Sequence, residues 1–455
     1  MALVALATVG QAQERQNKDV LFRSAVSLYE AGKYAEATVP LEKLVKEVPD
    51  TFEVQELLGL VYAAQSQDAK ANEHLAQAVR LKPASVEAHS NLAASYAKLG
   101  KLDLAQEQFL KAAELEPENY DTNHNLGEMY VRRGMVARAV PYLEKAQRLN
   151  PASYDNGYDL TLAYMVSGRL GDARNSAKAL LNVKETGEAH NLLAQIEEKD
   201  GNIIAAANEF QAAARLEPSE SNLFDWGGEL LVHRTLDPAV QVFEEATRRF
   251  PKSPRLMVGL GMAYYARGNY DDAVKAFVKG ADLDPNDARC YQFLSRAYDS
   301  SPSQANEVIE RFRRFAELQP NNGRALYYYA MSLWKGKRAQ DPSLDLAQIG
   351  TLLQRAIAAD PKLAEAHLQL GNLTADRGEF AEAIPEYQRA LELDNDLADA
   401  HYRLAQAYVR TGQKDKAQEQ FATYQTLRAQ HLADLDKQRA DIRQFVYNEK
   451  GSANP

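Results

Sequence analysis

Cysteine is nearly absent: Cys290 stands alone in 455 residues, which excludes an internal disulfide and a thiolate metal cage. Positive charge is the minority sign, with 53 Lys and Arg against 63 Asp and Glu. The net charge of −10 argues against duplex nucleic acid and anionic membrane surfaces, both of which attract clustered cations. Missing too are the roughly 20 consecutive apolar residues that a membrane-spanning helix needs. The nearest approach, Met1–Ala12 (MALVALATVGQA), is apolar and uncharged but too short. It ends in the small-x-small step Gly10-Gln11-Ala12 and gives way to the polar Gln13–Gln16, so it reads as an export signal whose basic leading stretch is missing.

Catalytic patterns are equally scarce. No HExxH pair occurs, and Gly259-Leu-Gly261 opens like a dinucleotide fingerprint but has Tyr264 at the next glycine position. Asp282, Asp284 and Asn286 imitate the start of a calcium loop, yet Asp287 and Phe293 stand where its Gly and closing Glu belong. No cofactor or metal is expected, and after the repeats described next no residues remain for a catalytic domain.

What the chain does have is a ruler. Pro49, Pro83, Pro117 and Pro151 are 34 residues apart, and Pro218, Pro251, Pro285, Pro320 and Pro361 continue the series. Frames ending two residues after each proline give twelve units, beginning near Lys18, Phe52, Val86, Tyr120, Tyr154, Gly187, Glu220, Pro254, Ala288, Gly323, Ala364 and Ala398. In the third unit Leu92, Ala93 and Tyr96 form one apolar stripe and Ala105, Phe109 and Ala112 another, which means two amphipathic helices. Gly100 between them suits a chain reversal at positive φ, and Pro117 closes the second helix. Gly59, Gly127, Gly261 and Gly371 are small where the helices approach, and Ala71, Ala105, Ala139 and Ala273 are expected to face them, small against small. Leu75, Phe109, Leu143, Phe210, Phe243, Phe277 and Phe421 are expected as buried anchors.

Leu58, Gly59, Tyr62, Ala71, Leu75, Ala78 and Pro83 in the second unit, and Leu260, Gly261, Tyr264, Gly268, Tyr270, Ala273, Phe277 and Pro285 in the eighth, resemble the tetratricopeptide repeat. The resemblance implies an all-α, right-handed α-solenoid, a superhelix of about twelve helix pairs with a C-terminal capping helix. Residues 1–17 form the apolar leader and 18–425 the repeats, with irregularities near 182–187, 299–306 and 335–345. Residues 426–447 read as the cap and 448–455 as a disordered tail. Ala177 occupies an anchor position and marks a thinly packed joint. His89, His190, His367 and His401 share one repeat position, where the family usually packs a bulky residue, and are expected to be structural.

The resemblance also implies that the first helices line a concave groove. Repeats three to six present acids and amides there, with Asn91 and Asn125 at the same place in consecutive repeats, resembling a two-rung asparagine ladder for an extended peptide backbone. Repeats eight to ten present Arg255, Tyr265, Arg289, Arg296, Arg324, Tyr327, Tyr328 and Trp334, a cationic and aromatic stretch suited to an acidic segment. The expected function is a non-enzymatic scaffold for an unidentified protein or peptide partner in an exported or envelope-associated assembly. The alternative is an accessory subunit of glycan machinery that stacks sugar rings on these aromatics. A periplasmic or secreted location is expected from the leader, with the cytoplasm as the alternative.

Overall fold

In a computed structural model, residues 2–301, 304–336 and 345–430 are described, with side chains from residue 16 onward. They fall into two compact units that divide between Glu209 and Phe210. In the first unit, first helices α1 (Ala2–Glu30), α3 (Phe52–Ala64), α5 (Val86–Lys98), α7 (Tyr120–Arg132), α9 (Tyr154–Val166) and α11 (Gly187–Lys199) alternate with second helices α2 (Tyr34–Glu47), α4 (Asp68–Leu81), α6 (Leu102–Leu115), α8 (Val136–Leu149) and α10 (Leu170–Val183). Helix α12 (Ile203–Leu216) contains the division. In the second unit, first helices α13 (Glu220–Val232), α15 (Pro254–Arg267), α17 (Ala288–Ser300), α19 (Gly323–Gly336), α21 (Ala364–Asp376) and α23 (Ala398–Arg410) alternate with α14 (Leu236–Arg249), α16 (Tyr270–Leu283), α18 (Ala305–Leu318), α20 (Leu346–Ala359), α22 (Phe380–Leu393) and α24 (Lys414–Gln430). No strand occurs among the described residues.

From Phe52 to Ala398, every first helix begins at the residue that opens its 34-residue frame. The reason is local chemistry two residues after the proline. Ser85, Asn119, Ser153 and Ser253 accept the backbone N–H of the third helical residue with a side-chain oxygen, and Asn322 does the same for Ala325. The chain then reverses at left-handed glycines such as Gly100 (φ +71°) and Gly268 (φ +90°). Ser66, Arg234 and Gln304 take the same conformation without glycine. The irregularity at 299–306 is one of these sites: α17 ends at Ser300 and α18 starts at Ala305, directly after Gln304.

Within each repeat the packing differs from the expectation of small against small. A Cβ on Gly59 would lie 2.7 Å from Leu75, on Gly127 2.5 Å from Leu143, on Gly261 2.5 Å from Phe277 and on Gly371 2.7 Å from Tyr387. The glycine therefore receives the large anchor of the second helix, and the small residue exists because the large one needs its volume. The fifth repeat reverses the sizes: Thr161 replaces the glycine and buried Ala177 the anchor, with the Thr161 hydroxyl donating to the Gly157 carbonyl (2.7 Å) and accepting from the Ser176 hydroxyl (2.8 Å). Beside this joint a cleft of about 270 Å³ opens among Gln147, Gly157, Leu160, Ser176 and Leu180. The other anchors are buried, but Phe421 is half-buried and sits edge-on against Tyr402.

Two polar clamps recur, and neither follows from apolar patterning. The tyrosine near the end of a first helix reaches back one repeat: Tyr62 donates to Glu42 (2.5 Å), Tyr164 to Glu144 (2.8 Å) and Tyr264 to Glu244 (2.7 Å). Burial, reinforced by the acceptor carboxylate, pushes each of these phenols up to about 12. The second clamp involves the histidine position. His89 bonds Gln108 and the Pro83 carbonyl, His401 bonds Gln420 and the Asn395 carbonyl, and Gln55 and Asn123 reach the Pro49 and Pro117 carbonyls. These residues are structural, as expected, but they act as polar staples between the inter-repeat turn and the second helix.

The expected calcium-like acids have other work. Asp282 accepts Arg311 (2.8 Å) and Arg314 (3.1 Å), and Asp284 accepts the Asn286 backbone N–H. The apolar leader shares one helical backbone with the first repeat, since α1 starts at Ala2. Residues 337–344 of the expected insertion, 431–447 of the expected cap and the expected tail 448–455 lie outside the described residues. No described helix is long and apolar enough to cross a membrane.

Replacing Gly261 with Leu should overpack the eighth repeat against Phe277 and cost about 1–3 kcal/mol or more, read as a lower melting temperature; unchanged melting would refute the fit described here. The tyrosine clamp allows a paired test. Tyr298 occupies the clamp position but Val278 stands where the glutamate belongs, and its buried hydroxyl has no hydrogen-bond partner among the described residues. Tyr264→Phe should cost about 1 kcal/mol, whereas Tyr298→Phe should cost nothing or stabilise slightly. Equal losses in urea denaturation would show that the bond to Glu244 adds nothing to stability.

Candidate functional site

The candidate residues lie on the first helices. In the second unit, α15, α17 and α19 adjoin in sequence order. Each is started by a cap that places an arginine second in the helix: Ser253 before Arg255, Asp287 before Arg289 and Asn322 before Arg324.

The four arginines have different surroundings. Arg255 lies 3.6 Å from the buried Asp225 carboxylate, with its guanidinium 3.8 Å over the Phe224 ring. Arg289 is exposed and turns back on its own cap, 3.0 Å from Asp287. Arg324, also exposed, stands one turn before Tyr328 on α19, and its charge, with that of Arg296 on the adjoining α17, favours the ionised phenol. Tyr328 is only 8% exposed, and burial pushes its phenol up while both guanidiniums pull against that shift. Tyr327 is tilted against it at 5.9 Å. Trp334 is half-buried against the core, and Tyr265 meets Tyr270 edge-on at 5.3 Å. Arg324, Tyr327 and Tyr328 thus share α19, which adjoins the α17 that carries Arg296, while Arg255 is paired with Asp225, Arg289 with Asp287, and Tyr265 rests on Tyr270. Glu365 on α21 also faces this group and is absent from the sequence-based set. The signal for it is its position, second in the next first helix, where it continues the series of Arg289 and Arg324.

In the first unit, Asn91 spends an amide proton on Glu56 of the preceding repeat (3.3 Å), and Asn125 is half-buried on α7. The next residue in their series is Asp159 on α9, a third rung that the amide pattern alone did not reveal. Burial, with Glu128 and Asp155 nearby, raises its pKa to about 6, and His124 and Arg132 oppose the shift. Glu128 is itself paired with Arg132 (2.7 Å), so burial leads the shift.

That shift has a stability consequence. An aspartate in an unfolded chain titrates near about 3.9, so the folded protein holds its proton more tightly up to about 6. The resulting stability is present at low pH and is lost as pH rises through that window. Asp159→Asn should therefore melt higher than the parent above pH 6, with the difference vanishing near pH 4. Thermal scans showing the same difference at every pH would refute the assignment.

Sequence models described as "TPR repeat" match residues 59–100 and 371–412. Others described as "Tetratricopeptide repeat" match residues 19–51, 86–119, 120–153, 158–221, 234–297 and 398–431. No curated protein matches the chain. Among solved structures, one described as Pseudomonas aeruginosa pilF is 18% identical over 46% of this chain and 95% of its own, with a TM-score of 0.40. PilW, described as a type IV pilus biogenesis factor, is 23% identical over 45% of this chain and 94% of its own, with a TM-score of 0.40. Yeast Tom70 is 14% identical over 88% of this chain and 97% of its own, with a TM-score of 0.34. With repeat matches across most of the sequence and a glycine-to-anchor fit recurring inside the helix pairs, the chain belongs to the tetratricopeptide repeat family, whose fold serves as a protein-interaction scaffold.

Proposed function

We propose that this chain is a non-enzymatic scaffold that holds segments of partner proteins on the open face of its first helices, within an exported or envelope-associated assembly. The observation that carries this reading is that α17 and α19 adjoin, which puts the exposed Arg324 and the Tyr327–Tyr328 ring pair on a first helix next to the one that carries Arg296. Arginine and large aromatics dominate binding energy at protein interfaces once they are desolvated. The core takes Tyr291, Leu294, Leu326 and Ala330 from these helices, and Tyr328 as well, tilted against Phe312 at 5.6 Å, whereas Arg324 is left exposed. Exported placement draws its support from the apolar Met1–Ala12 stretch ahead of polar Gln13.

Crosslinking and mass spectrometry on the native protein test the binding face. Partner crosslinks should concentrate on the first helices; partner crosslinks confined to the second helices would overturn the reading. N-terminal sequencing of the native protein should find a chain beginning near Gln13, and an intact Met1–Ala12 stretch in the cytosol would overturn export.

A further inference from the structure

We propose that the cleft of about 270 Å³ beside Gly157 is a binding site for a single phenol ring, carried by a free small molecule or by a tyrosine of another protein. The site lies at the turn before α9 and does not depend on the scaffold reading.

In repeats two, three and four the fourth residue of the first helix bonds the carbonyl of the preceding proline. Gln55 donates to Pro49 (2.6 Å), Asn123 donates to Pro117 (2.9 Å), and the His89 ring lies 3.0 Å from the Pro83 carbonyl. His89 is held on its other nitrogen by Gln108, seventh in α6 (2.7 Å). The matching residues of the fifth repeat are Pro151, Gly157 and Ser176, and all three line the cleft. The cleft therefore stands where the fourth-residue side chain belongs, because neither Gly157 nor Ser176 is large enough to fill that volume.

The ninth repeat of the same chain shows what fits there. Its fourth residue is Tyr291, whose hydroxyl donates to the Pro285 carbonyl (3.2 Å) and whose ring stacks on Phe315, eleventh in α18, at 4.0 Å. The fifth repeat keeps the acceptor, Pro151, and an apolar wall, Leu180, eleventh in α10, but has no ring between them. Repeats two to four have only Ala78, Ala112 and Ala146 at the place of Leu180. Leu160 and the exposed Val183 extend the apolar lining.

Polar groups around the cleft are engaged with one another. Ser176 bonds Thr161 (2.8 Å), Asp172 holds Arg169 (2.7 Å), and the Gln147 amide accepts from Asn156 (2.7 Å) while donating to the Pro151 carbonyl (3.0 Å). A carbonyl oxygen has two lone pairs, so Pro151 can take a second donor. An apolar wall with one acceptor suits a ring with one donor, which is a phenol. An apolar protein cavity of about 150 Å³ already holds benzene, so this cleft has room for the ring and its hydroxyl.

Saturation-transfer NMR on the full chain tests the site with p-cresol, the tyrosine side chain as a free molecule. The parent protein should bind it, and toluene, the same molecule without the hydroxyl, should bind about threefold or more weakly. Gly157→Tyr supplies the ring from the chain itself, meeting a flexible Leu180 methyl 3.2 Å from its Cβ, and should weaken p-cresol about tenfold or more. Ala179→Phe, which adds a ring from an exposed position in the cleft lining, should do the same. Circular dichroism establishes that both variants are folded. A short peptide with one tyrosine among glycines separates the two sources: competition with p-cresol supports the site and assigns it to a protein tyrosine, and failure to compete with bound p-cresol supports it as a site for a free phenol. No p-cresol binding by the parent, toluene binding as tightly, or undiminished p-cresol binding in either folded variant would overturn the proposal.

Discussion

The seating of one large second-helix side chain on one small first-helix residue is the contact on which the rest of this structure depends. At Gly261 a single added carbon would lie 2.5 Å from the Phe277 ring. The helices approach closely enough there to exclude water, and that approach sets the spacing of the pair. Neighbouring pairs then bury their remaining apolar surface against one another, which is why no repeat is expected to stand alone. Where the sizes change, at Thr161 and Ala177, the pair survives by exchanging volumes and adding a buried hydroxyl bond.

Polar groups finish what apolar packing begins. A stripe of leucines tolerates sliding, because dispersion is not directional. The bonds from Tyr62, Tyr164 and Tyr264 to carboxylates one repeat back are directional and join each pair to its predecessor. The histidine and amide staples do the corresponding work inside a repeat, tying the proline turn to the second helix. With orientation fixed by these interior contacts, the outer residues of the first helices are released from structural duty and differ in sign between the two units. The first carries Glu56, Glu128 and Asp159, and the second carries Arg296 and Arg324.

Sequence by itself determined the period, the helix type, the helix starts from Phe52 onward and the glycine reversals, because all of these are local. A cap, a left-handed glycine and a proline act within a few residues of themselves, so their meaning survives without coordinates. The family followed from the same offsets. Tertiary structure alone decided which partner each side chain takes. Glycine faces anchor and not alanine, a pairing between two helices that sequence spacing does not encode. Arg255 and Arg289 looked equivalent to Arg324 as letters, each second in its helix, yet Asp225 and Asp287 engage the first two while Arg324 stays exposed. Those choices depend on side-chain geometry, in the Asp225–Arg255 case between different repeats, which the superposition of many local rules leaves open until the helices are packed.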